Sequence, residues 1–308
     1  MYIINYHNVL DTIDTFDARL PRISQLQFEE EIKFLATNFE ITSVADVVKN
    51  IDNPTKTKKT KVALTFDDGC LGVLKYAIPI LQKYSCTATL YIVSDFTNHF
   101  NDLNYFDNIE IAFRLTKKKK IDLSFLDLGK PSLKQEDTRI KYMKYTKRKL
   151  KIQKIIERKK NTKILLDLLG VSDEEMKAYM YGKEKYLFIS WKDLNDLKNL
   201  GYDIGSHTHT HPTLSKIPAN KANEELSLSY STIKDKLNLN EISFAYPHGN
   251  TQHIGENIPK MVENIGYSFA LTTIPNKIDD TTDKYLLNRM TFGEFLRYYV
   301  AAGRFNAE

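Results

Sequence analysis

The sequence predicts an α/β protein built on a mainly parallel sheet of about seven strands. Three observations carry that expectation. Short β-branched and aromatic runs, such as Tyr2 to Tyr6 (YIINY), Val62 to Phe66 (VALTF) and Cys86 to Val93 (CTATLYIV), have the composition of strands. Segments with apolar residues at helical spacing, such as Gln25 to Phe39 and Ala219 to Leu237, lie between such runs. Their alternation is the pattern of parallel strands joined by crossover helices. The chain's 308 residues, 42% hydrophobic and 27% charged, fit an ordinary globular protein with a substantial core.

Taken in order, Tyr2 to Tyr6 reads as the first strand and Gln25 to Phe39 as a helix. Glu40 to Val44 suggests a short strand and Ala45 to Ile51 a helical turn. Asp52 to Lys61, rich in Lys and Thr and holding Pro54, is a loop. Leu71 to Tyr84 reads as a helix that Pro79 would kink. From about 100 to 186 the pattern turns lysine-rich and amphipathic, a helical insertion within a single catalytic domain spanning 1–308. Leu187 to Trp191 returns to the core, and Lys192 to Leu200 is a short helix ended by Gly201. Strands are expected at Asp203 to Ser206, Ile242 to Tyr246, Tyr267 to Thr272 and Leu286 to Met290, with a helix over Pro259 to Ile265.

The net charge of +5 is unevenly spread. Residues 139–163 hold twelve Lys or Arg and one acid, Glu157, a local +11 that leaves the remainder near −6. Such a segment is either a solvated helix face or a patch for an anionic membrane surface or a phosphorylated carrier. Nucleic acid is disfavoured, because no aromatic platform or binding motif accompanies the lysines. Two cysteines make no disulfide framework. MYIINYHNVL has no basic leader, and no run of eighteen apolar residues occurs, so a cytoplasmic protein, membrane-associated at most, is expected.

The chemistry gathers around Lys61 to Cys70 (KVALTFDDGC). A strand ending in Asp67 and Asp68, then Gly69, delivers two adjacent carboxylates to a sheet rim, where a cation or shared proton must relieve their repulsion. Three of the seven histidines stand together at His207, His209 and His211. On a helical turn His207 and His211 would face the same way and share a metal, with Asp68 as the third ligand. Two imidazoles and a carboxylate leave positions open for water and substrate.

These residues resemble the polysaccharide deacetylases, the family four carbohydrate esterases. TFDDG (65–69) looks like the family's first motif, HTHTH (207–211) its second and FAYPHG (244–249) its third, in the right order. The resemblance implies a distorted (β/α) barrel with the chemistry at the C-terminal strand ends. It implies a divalent ion, zinc foremost with Co2+, Ni2+ or Mn2+ as alternatives, held by Asp68, His207 and His211, and Asp67 as general base. It also implies an oxyanion donor at the His248 N–H, after Tyr246 and Pro247, and places His7 at the barrel mouth. Many members carry Arg where Ala245 stands; the FAYPxG branch does not, and Arg289 is then expected to hold Asp67. The family's usual acid histidine in Leu-x-His has no counterpart, since Leu287 precedes Asn288 and Arg289. Proton donation falls to His248, to His7 or to water. Trp191 and Tyr246 either stack on a sugar ring or pack in the core, and Asp203 is expected to orient the second motif. The implied activity is N-deacetylation of an amino sugar in a glycan or lipid-linked saccharide. The alternatives are removal of another small acyl group, hydrolysis of a non-sugar C–N bond, or a catalytically weak glycan-binding protein.

Overall fold

The computed structural model describes residues 1–17, 20–53, 59–97 and 105–301. The tip of the expected 52–61 loop, with Pro54, and the start of the insertion lie outside these residues. The chain forms two compact units, one of residues 1–98 with 188–308, the other of residues 99–187.

In the first unit the strands are β1 (Tyr2–Tyr6), β2 (Asn8–Leu10), β3 (Arg22–Ser24), β4 (Glu40–Thr42), β5 (Lys61–Asp68), β6 (Thr89–Ile92), β7 (Asp203–Ser206), β8 (Phe244–Ala245) and β9 (Ala270–Leu271). Seven of them make one all-parallel sheet in the order β1-β5-β6-β7-β8-β9, with β4 also on β5. β1 runs along Val62 to Phe66, so β4 (at Lys61 to Ala63) and β6 (at Thr65 to Asp68) share the opposite edge of β5. The expected last strand, Leu286 to Met290, is reduced to two parallel bridges, Leu287 to Leu271 and Met290 to Ile4. Those bridges join the two ends of the curled sheet, which gives the distorted (β/α) barrel.

Residues on a strand alternate between faces, and here the alternation divides the core. Ile4, Leu64, Phe66, Leu90, Ile204 and Phe244 pack in one cluster with the helices Gln25–Asn38 and Ala219–Leu237. Ile3, Ala63, Tyr91, Ala245, Leu271 and Leu287 form a second cluster, joined by Val44, Val47 and Ile51 of the helix Val44–Asp52. Asn5, Thr65 and Asp67 share the face of Ile3 and Ala63, so the second face turns polar toward the C-terminal strand ends. The expected kink near Pro79 is a wide turn over Val73–Ala77, leading into the helix Ile78–Lys83. Pro79 has no N–H to give the carbonyl four residues back, and the Ile78 N–H reaches Val73 O instead.

The second unit packs the helices Tyr105–Leu115, Glu136–Lys151, Ile155–Leu169 and Asp173–Met180. Its centre holds a buried acid, Glu110, which accepts from Arg114 Nε and Tyr186 Oη, both at 3.0 Å. Among the described residues no helix is long and apolar enough to cross a membrane.

Gly205 on β7 lies opposite Tyr91 on β6. A Cβ there would sit 2.4 Å from the Tyr91 ring, which is fully buried beneath the Arg289 guanidinium. Gly205→Ala is therefore expected to lower unfolding free energy by about 1–3 kcal/mol in urea titrations. An unchanged midpoint would show that this contact is not tight.

Candidate active site

The backbone changes hand between the two aspartates. Asp67 is the last inward-facing residue of β5 and is buried, whereas Asp68 has φ +74° and a side chain 29% exposed. The carboxylates therefore diverge, Asp67 toward an arginine and Asp68 toward two imidazoles.

Asp67 meets Arg289, a fully buried arginine. Arg289 Nη1 donates to Oδ1 at 2.7 Å and Nη2 to Oδ2 at 2.9 Å, a bidentate pair. Arg289 is held in turn, its Nε donating to Thr272 O at 2.8 Å and Nη1 reaching Thr65 Oγ1 at 3.2 Å. Asn5 Nδ2 donates to Asp67 Oδ2 at 3.1 Å, and Asn5 Oδ1 accepts from Thr65 Oγ1 at 3.3 Å. Burial opposes the charge on Asp67, but the Arg289 guanidinium and the nearby His207 ring overcome it and hold the carboxyl well below the usual range. His7, the residue after β1, adds to that attraction.

Asp68 meets the two histidines. Its Oδ1 lies 3.7 Å from His207 Nε2 and 3.5 Å from His211 Nε2, and the three ligand atoms fall within 4.8 Å of one another. Ligands about 2.0–2.2 Å from a zinc-like ion are themselves separated by roughly 3–3.5 Å, so the spacing suits one. The tautomer suits it as well. His207 Nδ1 lies 2.7 Å from Ala245 O, to which it must donate, and this leaves the Nε2 lone pair toward Asp68. Burial pushes the His207 ring down to about 4, so it is a neutral donor at physiological pH. The residues present therefore fit a divalent ion.

The two histidines do not share a helix face, contrary to the reading of their spacing. Residues 207–213 are loop, with Thr208 at φ +69° and His211 at φ +58°, which curl the chain until the rings stand 4.9 Å apart. Thr208 Oγ1 accepts from His211 N at 3.0 Å, and Glu225 takes His209 N and Thr210 N at 3.0 and 2.8 Å. His209 turns away, its Nδ1 2.9 Å from Ser94 Oγ. Asp203 lies exposed at the far end of β7, near Thr89 and Asp46, and cannot orient this loop. The Ala245 carbonyl and Glu225 do so instead.

After β8, Pro247 is buried and His248 (φ +64°) presents its ring edge-on to His211 at 4.9 Å. His253, in which the sequence gives no signal, stands behind it at 5.4 Å. Thr273 fixes this turn, its Oγ1 donating to His248 O and its N–H to Gly249 O, both at 2.8 Å. Four of the seven non-glycine residues with left-handed backbone among the described residues are Asp68, Thr208, His211 and His248. Such conformations cost on the order of 1–3 kcal/mol each and gather where the surroundings enforce them.

Of the two expected sugar contacts, Tyr246 is a core residue. Tyr246 is fully buried, edge-to-face on Phe244 and donating from its hydroxyl to Tyr285 O at 2.9 Å, so neither ring face can meet a sugar. Trp191 is half-buried at the start of the helix Trp191–Asn199 and packs on the main core. Asn5 and Thr65 were not expected at the site. Their signal was a pair of polar residues on the inward face of otherwise apolar strands.

The sequence profile described as Polysaccharide deacetylase matches residues 54–109 and 154–270, which include Asp67, Asp68, His207, His211 and His248. No match is found among curated proteins. Among solved structures, the Streptococcus pyogenes deacetylase PplD in complex with acetate is similar at 16% identity and TM-score 0.61, covering 96% of each chain. IcaB from Ammonifex degensii is similar at 14% identity and TM-score 0.59, covering 96% of this chain and 95% of that one. The de-N-acetylase from Aggregatibacter actinomycetemcomitans follows at 13% and 0.54, covering 94% and 93%. At these identities the likenesses establish the fold. With more than half of its length matched by the family profile, the chain belongs to the polysaccharide deacetylase family.

Proposed function

We propose that the protein is a metal-dependent hydrolase that removes N-acetyl groups from an amino sugar in a glycan or lipid-linked saccharide. The observation that carries this reading is the division of labour between neighbours: Asp67 clamped by Arg289, Asp68 turned to two imidazoles. Asp68, His207 and His211 would hold the ion, zinc first among the candidates, which supplies a Lewis acid for the acyl carbonyl and acidifies a water. Asp67 is the base. A carboxylate has about four acceptor positions, and Arg289 and Asn5 occupy three, leaving one on Oδ1 to take the proton of the attacking water. Held ionised by Arg289, it is a weak base, which suffices for an acidified water. The His248 N–H is assigned to the oxyanion and its ring, beside His211, to protonating the leaving amine. His7, half-buried after β1, is assigned to the substrate mouth. The Arg289–Asp67 pair, with alanine at position 245, supports the FAYPxG branch.

Acetate released from short N-acetylglucosamine oligomers should disappear after chelation and return with added Zn2+ or Co2+. His248→Asn should lower kcat by about 100-fold or more. Tight sugar binding without acetate release by metal-loaded protein would sink the enzymatic reading, and full activity in His248→Asn would remove that residue as the acid. Arg289→Lys should cost about 10- to 100-fold in kcat, the worth of a bidentate charge-assisted contact, and Asn5→Leu about fivefold, with KM little changed. Near-normal turnover in Arg289→Lys would refute the clamp.

A further inference from the structure

The second unit carries a surface that the reaction does not use. The helix Glu136–Lys151 presents Lys141, Tyr145, Arg148 and Ile152 at i, i+4, i+7 and i+11, one stripe of its surface, and all four are exposed. The next helix, Ile155–Leu169, presents Ile156, Lys159, Lys160 and Lys163 in the same way, again all exposed. Ile152 and Ile156 flank the corner between the helices, 54% and 82% exposed, with Lys154 between them in sequence. Exposed aliphatic residues are ordinary when scattered among mixed charges. Here two stand four residues apart, and from 148 to 160 the exposed charges along the same stretch are Arg148, Lys154, Lys159 and Lys160 with one acid, Glu157.

We propose that this corner docks the protein on the surface of an anionic phospholipid bilayer, with Ile152 and Ile156 entering the headgroup boundary and the two lysine stripes lying against lipid phosphates. Charge complementarity selects this occupant. Residues 139–163 carry +11 against a remainder of about −6, and six of their cations, Lys141, Arg148, Lys154, Lys159, Lys160 and Lys163, are exposed, so this segment is the part of the chain that a negatively charged surface attracts. The apolar tips separate a bilayer from a nucleic acid. A phosphate backbone gains nothing from two aliphatic side chains, whereas an interfacial segment needs apolar groups beside its cations, and Tyr145 adds an aromatic with a polar tip. The proposed attachment is peripheral and reversible, made by two aliphatic tips and charge alone. The proposal is independent of the chemistry at Asp67 and Asp68.

The test is co-sedimentation of the full chain with vesicles of phosphatidylcholine alone or with about one quarter phosphatidylglycerol, across a salt series. Binding is expected only with phosphatidylglycerol, falling as salt rises. Lys159→Glu with Lys160→Glu, and separately Ile152→Ser with Ile156→Ser, should each weaken it about tenfold or more, while acetate release from a soluble oligosaccharide stays at the wild-type level. Unchanged far-UV circular dichroism and thermal unfolding of both variants report intact folding, independently of acetate release. Equal binding to both vesicle types, no binding to either, unaltered binding of the Ile152→Ser/Ile156→Ser protein, or tighter binding to a duplex oligonucleotide than to the anionic vesicles at equal salt would each overturn the proposal.

Discussion

Two carboxylates on consecutive residues at the end of a buried strand repel each other unless each finds its own cation. Here the left-handed turn at Asp68 separates them, and everything else in the site follows from that separation. Asp67 stays on the inward face and is neutralised by an arginine that the closing segment 286–290 brings across from the other end of the sheet. Asp68 is turned toward two imidazoles. A buried ion pair of this kind is poor evidence of stability, since desolvating both charges offsets much of their attraction. Its value lies in orientation: Arg289, Asn5 and Thr65 leave the Asp67 carboxylate a single setting.

The same economy holds in the loops. Left-handed backbone at Asp68, Thr208, His211 and His248 is unfavourable for side chains of this size, a β-branched threonine above all. Hydrogen bonds from neighbouring elements enforce it: Glu225 on the 207–211 loop, Thr273 on the 248–249 turn, and the Thr208 hydroxyl within its own turn. Backbone conformations that the chain would not choose in isolation thus place two metal-type ligands and the His248 ring side by side.

Much of the fold was legible because strand and helix periodicities are local. β1, β7 and the helix Ala219–Leu237 fall where alternation and helical spacing put them. Leu286 to Met290 was harder: its pairing is only two bridges, one to each sheet edge, and local composition cannot distinguish that from a full strand. In the site, residue types and motif order identified the Asp68, His207 and His211 group, but i, i+4 spacing suggested the wrong backbone, because left-handed turns are set by tertiary contacts. Tyr246 and Trp191 illustrate a second limit. An aromatic beside a motif looks the same in sequence whether its ring meets a ligand or fills the core, and here Tyr246 is fully buried while Trp191 is half-buried against the core. Asp203 illustrates a third, since a strand carries its first and last residues to opposite ends of the sheet.

In the proposed site Asp68, His207 and His211 hold one ion while Asp67 remains on Arg289. An anomalous-difference map from crystals grown with Zn2+ tests it most directly. A single strong peak is expected within about 2.0–2.3 Å of one Asp68 oxygen and both Nε2 atoms, with the bidentate Asp67–Arg289 pair intact. A peak coordinated by Asp67, or none among these three side chains, would contradict it.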